Sequence, residues 1–469
     1  MLKQLFTIGM LVSLSLLAVT AAAQEVGDAP KPAMAGGNSA GLLASGSQDV
    51  PDTRPPAGAQ DLSLGSQTSH SFLLPSFGVV TQAQRNPNAF GQTNAPAWIS
   101  TSYFSGRVGV NKISGRSDLL LDYLAGGALS SYSNEGNSVI QSLDVSETLH
   151  WGRWSQMFGD QFTYLPASSF GFGGLGGLNN FGVPLGAVGS TPGFRQDILP
   201  NQSIMTNGAR RIGNTAIAQT TYALGYRSSL SFAGSYSELH FLDGGLEDSN
   251  SASFRGGYNY LLSPKNSMSV SYGFNRLRLS NLPQGMDDHS ILASFARRIT
   301  GHLAFQVGAG PDIQIFRAPL AGPGTVVTWA VSGGLIGAYQ FRRMEAGLNY
   351  YHFLTGGSGV LPGAQTDMVT GQLSRTFGRW ATTATVGYSR NQALQQTILN
   401  ANRISPQGWF AGVQATRQLA GYGSLFFSYN ASKQSSLAAI CSLSACRANG
   451  LTQTISVGYN WGLRPIVLE

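Results

Sequence analysis

Charge is scarce in this chain. Only 11% of its 469 residues are Asp, Glu, Lys or Arg, where soluble domains run near ~25%. Long apolar runs are missing too. Behind the N-terminal leader there is no stretch of about 18 apolar residues, which a membrane-spanning helix would need. The mean hydropathy of -0.02 agrees. Cysteine is nearly absent, with only Cys441 and Cys446. No His or third Cys lies near them, and no metal-ligand spacing occurs elsewhere, so neither a metal nor a cofactor is implied. Glycine-rich stretches exist, but no strand–helix unit with Lys-Ser/Thr follows them, which argues against a phosphate loop. The basic residues sit singly rather than in a stripe with stacking aromatics, so nucleic acid is not an expected partner.

What is present is alternation. Ile455, Val457, Tyr459, Trp461 and Leu463 interleave with Thr454, Ser456, Gly458, Asn460 and Gly462. Successive side chains of a strand point to opposite faces, so one face here is apolar and the other small and polar. The pattern recurs at Met268–Phe274, Leu303–Gly310, Met344–Tyr351 and Thr383–Tyr388. A soluble sandwich also alternates, but its outward face is usually charged. Here the polar face is Ser, Thr, Gly and Asn. The expected fold is all-β: a transmembrane antiparallel up-and-down β-barrel with lipid outside and water inside. Trp151, Trp154, Tyr272, Trp380, Tyr388, Tyr459 and Trp461 are expected at strand ends, as interfacial girdles.

The chain divides into three parts. Residues 1–23 read as a cleaved signal peptide, with Lys3, an apolar core from Leu5 to Val19, and Ala21-Ala22-Ala23 before the cut. The alternative, an uncleaved anchor helix, has a short core for that role. Residues 24–70, rich in Ala, Gly, Ser, Pro, Asp and Gln, read as a low-complexity disordered segment. The barrel should occupy 71–466. Eight short connections stand out: 113–116, 150–153, 225–227, 263–266, 300–302, 339–341, 377–379 and 420–423. Most are about 37–43 residues apart, the pitch of one long hairpin plus an outer loop. One gap, from 152 to 225, is about twice as wide. Short turns belong on the periplasmic side. Sixteen flanking strands, a last strand near 452–463 and a first strand in Ser71–Ala83 make about eighteen. Pro75 weakens the first strand, so sixteen is the other count the pattern allows.

The segments SFLLPSFGVV (71–80), LLLDYLAGG (119–127), FTYLPASSFGFGGLGG (162–177), LASFARRITGHLAFQVGAGP (292–311), GYSRN (387–391) and SVGYNWGLRPI (456–466) carry a resemblance. Through them the chain resembles uncharacterised outer-membrane β-barrel proteins of acidobacterial-type genomes. The resemblance implies a barrel in the bacterial outer membrane and no particular substrate. Such barrels commonly end on an aromatic residue that the assembly machinery reads. Here Tyr459 and Trp461 lie inside the end, leaving Arg464–Glu469 as a short periplasmic tail.

Three features are candidates for function. The longest loop, about 166–210, is the third outer loop by count and holds Phe170, Phe172, Leu175, Asn179, Asn180 and Phe181. It either folds inward to narrow a pore or stays outside against lipopolysaccharide. Basic residues gather at the short turns: Arg116, Arg153, Arg227, Lys265, Arg297, Arg298, Arg342, Arg343, Arg375, Arg379 and Arg417. They either attract anions to a pore mouth or contact phospholipid headgroups. Asp287-Asp288-His289-Ser290 sets a His beside carboxylates, an arrangement that can serve general base catalysis or an ordinary polar edge. His352 has no acidic neighbour in sequence. The favoured reading is a non-enzymatic, porin-like channel for small hydrophilic solutes with a mild anion preference. The rivals are a barrel for polysaccharide export or an envelope complex, an enzyme centred on His289, and a plugged structural barrel. Expected partners are outer-membrane lipid and lipopolysaccharide, the barrel-assembly machinery, and a second copy of the chain.

Export and a separation of five positions predict that Cys441 and Cys446 form a disulfide in the last outer loop. Thiol labelling of the unreduced, denatured protein should give almost no signal. Two titratable thiols would contradict the pairing.

Overall fold

The computed structural model describes residues 71–85, 97–131, 138–165, 198–199, 211–242, 248–263, 265–280, 285–300, 303–317, 324–339, 344–355, 364–393, 407–419, 423–435, 451–463 and 466–468. They form one sheet of twenty strands, two of which are two residues long. The first five are β1 (Phe72–Arg85), β2 (Trp98–Ile113), β3 (Ser117–Ser130), β4 (Ser138–Trp151) and β5 (Trp154–Leu165). The short β6 (Ile198–Leu199) precedes β7 (Arg211–Ala223), β8 (Ser228–Phe241), β9 (Ser249–Ser263), β10 (Asn266–Leu279) and β11 (Gly285–Arg298). Then come β12 (Leu303–Arg317), β13 (Thr325–Tyr339), β14 (Met344–Thr355), β15 (Ala364–Phe377) and β16 (Trp380–Ala393). The last are β17 (Gln407–Gln418), β18 (Gly423–Gln434), β19 (Leu451–Gly462) and the short β20 (Ile466–Val467).

Each long strand pairs antiparallel with its sequence neighbours, β5 pairing with β7 across the long loop. The ring closes where β1 pairs with β19, from Ser76 opposite Gly462 to Gln84 opposite Thr454. This is an up-and-down barrel of eighteen long strands, as the alternation predicts. Closure pairs the first and last long strands, as a sheet in lipid requires. Between β13 and β14 the ladder stops at Ser332 opposite Tyr351, and Leu354 and Thr355 of β14 pair in parallel with Ile198 and Leu199 of β6.

The strand ends that flank the eight short connections all fall at one end of the barrel. Two are two-residue turns, Gly152-Arg153 and Gly378-Arg379. Their glycines have φ of 57° and 56°, which a two-residue hairpin favours at that position. Pro75 is accommodated in β1. Its carbonyl accepts from Leu463 N at 2.9 Å, so its missing N–H faces the same way. That is where the ladder from β19 gives way to β20, whose Ile466 and Val467 pair with Leu73 and Phe72. Within the expected periplasmic tail, Ile466–Val467 continues the sheet alongside β1.

The pleat sorts side chains by parity. On β19, Ile455, Val457, Tyr459 and Trp461 are exposed while Thr454, Ser456 and Asn460 are buried. The exposed set forms an apolar outer face with Phe232, Phe254, Tyr258, Val270, Tyr272, Ile291, Val307, Leu348, Val386, Val413 and Tyr429. The belt is interrupted on β5 and β7, where Asn214 Nδ2 donates to Asp160 Oδ1 at 3.0 Å on the outer face. Trp151, Trp154, Trp380 and Trp461 sit near the short-turn end as expected. Tyr272 and Tyr388 instead lie at mid-strand. Cys441, Cys446 and residues 24–70 lie outside the described residues.

On this register Val457→Asp puts a carboxylate into lipid, at a cost of roughly 2–3 kcal/mol if it lies near the bilayer centre. Ser456→Asp puts one into the polar interior. The heat-modifiable gel shift should show a larger loss of folded protein for Val457→Asp. Equal losses, or the reverse order, would contradict the assigned faces.

Candidate functional site

The inner wall is the surface that could act on a solute. At the long-loop end its lining is mixed: Arg211, Ser249, Thr366, Asn391, Ser432 and Thr452 face inward and are buried, beside an apolar arc on β2–β4, β8 and β10–β12. Ile99, Ala128, Ile140, Leu239, Phe241, Leu277, Leu279, Met286 and Phe316 all face inward there and are buried. Below this rim the wall is mainly polar, although Val80, Leu124, Met157 and Phe426 also face inward and are buried. Ser105, Asn111, Ser142, Thr215, Gln219, Ser231, Ser251, Asn259, Ser269, Ser389, Ser428, Thr454, Ser456 and Asn460 are inward and buried. Buried polar atoms normally find a partner. Gln219 Oε1, Asn259 Oδ1, Ser389 Oγ, Ser428 Oγ and Thr454 Oγ1 have none among the described residues. A wet interior would satisfy them.

Two charged clusters interrupt the polar wall. Arg107 on β2 donates through Nε to Asp122 Oδ1 on β3 at 2.6 Å, and its second nitrogen bonds Asp122 Oδ2. Asp144 on β4 stands directly opposite Asp122. The second cluster spans β10 to β12. Asn275 Nδ2 donates to Asp288 Oδ2 at 2.9 Å, and Gln314 Nε2 to Asp312 Oδ2 at 3.2 Å. Asp288 is 2% exposed and Asp312 5%. Arg255 on β9 shares their face, across the small Gly273. The wall thus carries carboxylates as well as guanidiniums. Of these aspartates the sequence singles out only Asp288, and there as the neighbour of His289. Parity was the available signal, since each sits on the polar register of its strand.

The other predicted residues separate clearly. Arg116, Arg153, Arg227 and Arg379 are exposed at the short-turn end. Arg116 and Arg153 line one open cleft of about 590 Å³ with His150, Trp151, Trp154 and Tyr222. Arg298 ends β11. Arg343 lies outside the described residues, as do Phe170, Phe172, Leu175, Asn179, Asn180 and Phe181. His289 does not join Asp288 in a catalytic pair, because adjacent strand residues face opposite ways. Asp288 points inward. His289 points outward and meets Tyr272 Oη through Nδ1 at 2.8 Å, with the Phe274 ring 5.0 Å away. His352 does gain an acidic partner, Asp367 of β15, at 2.6 Å. That pair also lies on the outer face, in register with the outward Tyr350 and Val369. Among the described residues no group of three or more His, Cys, Asp or Glu could hold a metal ion.

A closed antiparallel barrel with an apolar exterior and a polar interior is an outer-membrane β-barrel. No family model and no curated protein matches the chain. Solved structures similar to it include three bacterial proteins. Pseudomonas aeruginosa OpdQ is 9% identical, with 84% of this chain and 99% of that one covered and a TM-score of 0.44. Pseudomonas aeruginosa OccK2 (OpdF), solved in complex with glucuronate, is 12% identical, with 84% and 98% covered and a TM-score of 0.42. Acinetobacter baumannii OccAB4 is 8% identical, with 85% and 99% covered and a TM-score of 0.42. At these values the likeness carries no functional argument, which rests on the wall itself.

Arg107→Gln removes the guanidinium that pairs with Asp122. The reversal potential across a salt gradient should move towards cation preference. Breaking so buried a pair should also lower stability, by up to roughly 3–5 kcal/mol. Asp122→Asn should move the reversal potential the other way. No shift in either variant would mean that the pair does not face the conduction path.

Proposed function

We propose that this barrel is a porin-like channel of the bacterial outer membrane, through which small hydrophilic solutes diffuse passively. The observation that carries the reading is the polar inner belt of a closed barrel of eighteen long strands. Barrels of 16–18 strands enclose an aqueous channel. The belt offers hydroxyls, amides and paired charges, which exchange hydrogen bonds with a passing solute without holding it. Selection then comes from size and electrostatic bias. With carboxylates and guanidiniums both on the wall, an anion preference has to come from the mouth, where Arg116, Arg153, Arg227 and Arg379 are exposed. The apolar arc at the long-loop rim supports a constricting role for the third outer loop, because Phe170, Phe172, Leu175 and Phe181 would find apolar partners such as Ile140, Leu239 and Phe241 there. The interrupted lipid-facing belt at Asp160 and Asn214 supports contact with a second copy of the chain, which would cover those polar groups.

Refolded protein in planar bilayers should give discrete conductance steps. Anion preference should be modest and fade with salt, as the Debye length falls from about 10 Å at 0.1 M to about 3 Å at 1 M. Deleting residues 172–189 should raise the conductance while leaving the heat-modifiable shift intact. Unchanged conductance would remove the constricting role. No conductance in either form would overturn the channel and favour a plugged barrel.

A further inference from the structure

The outer face of β10, β11 and β12 changes character along the strands. On β10 the outward residues run Met268, Val270, Tyr272, Phe274, Arg276 and Arg278 from the short-turn end to the long-loop end. On β11 they end in His289, Asp287 and Gly285, and on β12 in Ile313, Ile315 and Arg317. Apolar residues give way to aromatics and then to charge, the order of hydrocarbon, interface and headgroup layers. The charged rung therefore lies at headgroup level on the long-loop side.

That rung is organised. Asp287 is 11% exposed and accepts from Arg276 Nε at 2.8 Å and from Arg317 Nε at 2.9 Å. One carboxylate thus holds two guanidinium forks, and the Arg276 guanidinium stacks 5.5 Å from the Phe274 ring centroid. Gly285 lies in register between Arg278 and Arg317, so no side chain separates them. Arg276 and Arg317 hold Asp287, and Arg278 stands one rung further along β10 on the same face. Glu238 of β8 lies on that face two strands away, opposite Asn250, so three arginines meet two carboxylates and one positive charge remains. Arg278 is exposed, and the Arg276 and Arg317 side chains are 36% and 53% exposed. Guanidinium forks match the oxygens of a phosphate, and fixing them beforehand reduces the entropy lost on binding.

We propose that Arg276, Arg278 and Arg317 form a binding site for a phosphate monoester of the outer-leaflet glycolipid, with Asp287 as the positioning residue and the Gly285 gap as its seat. The proposal rests on the outer-membrane reading and its orientation, and goes beyond it by naming a lipid site on the outside of the wall.

The test uses the full-length protein refolded in detergent free of lipopolysaccharide. Native mass spectrometry compares bisphosphorylated lipid A with its dephosphorylated form. The phosphorylated lipid should bind about tenfold more tightly or better, since charge-assisted bidentate bonds are the strong class. The double variant Arg278→Gln/Arg317→Gln should lose that margin. Lys433→Gln, which removes an exposed cation at the same end of β18, should keep it. Should the double variant fail the heat-modifiable test of folding, Arg317→Lys against Arg317→Gln decides. Lysine keeps the charge without the fork and should weaken binding less than glutamine does. Equal binding of the two lipids, or equal binding by the double variant, would overturn the proposal. So would displacement of lipid A by millimolar inorganic phosphate, which would assign the site to free phosphate. Conductance in lipopolysaccharide-free bilayers is measured separately. A folded, silent barrel that still binds phosphorylated lipid A would sink the channel and keep this site.

Discussion

The pairing of β1 with β19 is the constraint on which everything else depends. Hydrocarbon offers no partner to an exposed N–H or C=O, so a sheet in a membrane must close on itself. Closure forces an even number of long strands when both chain ends lie on the same side. Pro75 lies close to this seam, and the seam tolerates it only because its missing donor falls at the junction of β19 and β20. The bond from Leu463 N to the Pro75 carbonyl and that from Leu468 N to the Ser71 carbonyl continue the seam beyond β19. The last residues of the chain are thus part of the wall.

Closure turns parity into function. Each side chain must face either lipid or the interior, and a one-residue slip in any strand would exchange the two sets. Val457 and Ser456 differ by one position and face different solvents. The same rule separates Asp288 from His289. It sends one to a polar interior cluster and the other to an outer aromatic ladder beneath Arg276. A sequence neighbour on a strand is therefore a poor guide to a chemical neighbour. Asp367 lies opposite His352 across a strand pair, while Asp288 beside His289 is out of reach.

These contrasts show what was legible in the sequence. Seven of the eight turns were readable because their Gly, Pro or Asn interrupts a period-two pattern locally; at 339–341, Tyr-Gln-Phe, the spacing alone marked the turn. The strand total and the place of the last strand followed from the turns. The wall's aspartates were within reach of the same reasoning, since Asp122 and Asp312 fall on the inward parity of strands whose outward residues are apolar. Cross-strand partners were not legible. The pairings of Arg107 with Asp122 and of Asp287 with Arg276 and Arg317 depend on registers that no single strand encodes. The apolar arc at the long-loop rim was hidden for another reason. Leu277, Leu279 and Met286 sit on the inward parity but carry side chains typical of the lipid-facing one, so the alternation fades at the outer end. Tyr272 and Tyr388 mark a similar limit, because strand length does not tell where the bilayer boundary crosses it.

The central claim is that one side of this wall meets lipid and the other meets water. Site-directed spin labelling along residues 451–462, in a background lacking Cys441 and Cys446, tests it most directly. Accessibility to oxygen should peak at the odd positions from 455 to 461, and accessibility to a water-soluble nickel complex at the even ones. A profile without period two, or even positions closed to the nickel complex throughout the barrel's height, would contradict a water-filled channel.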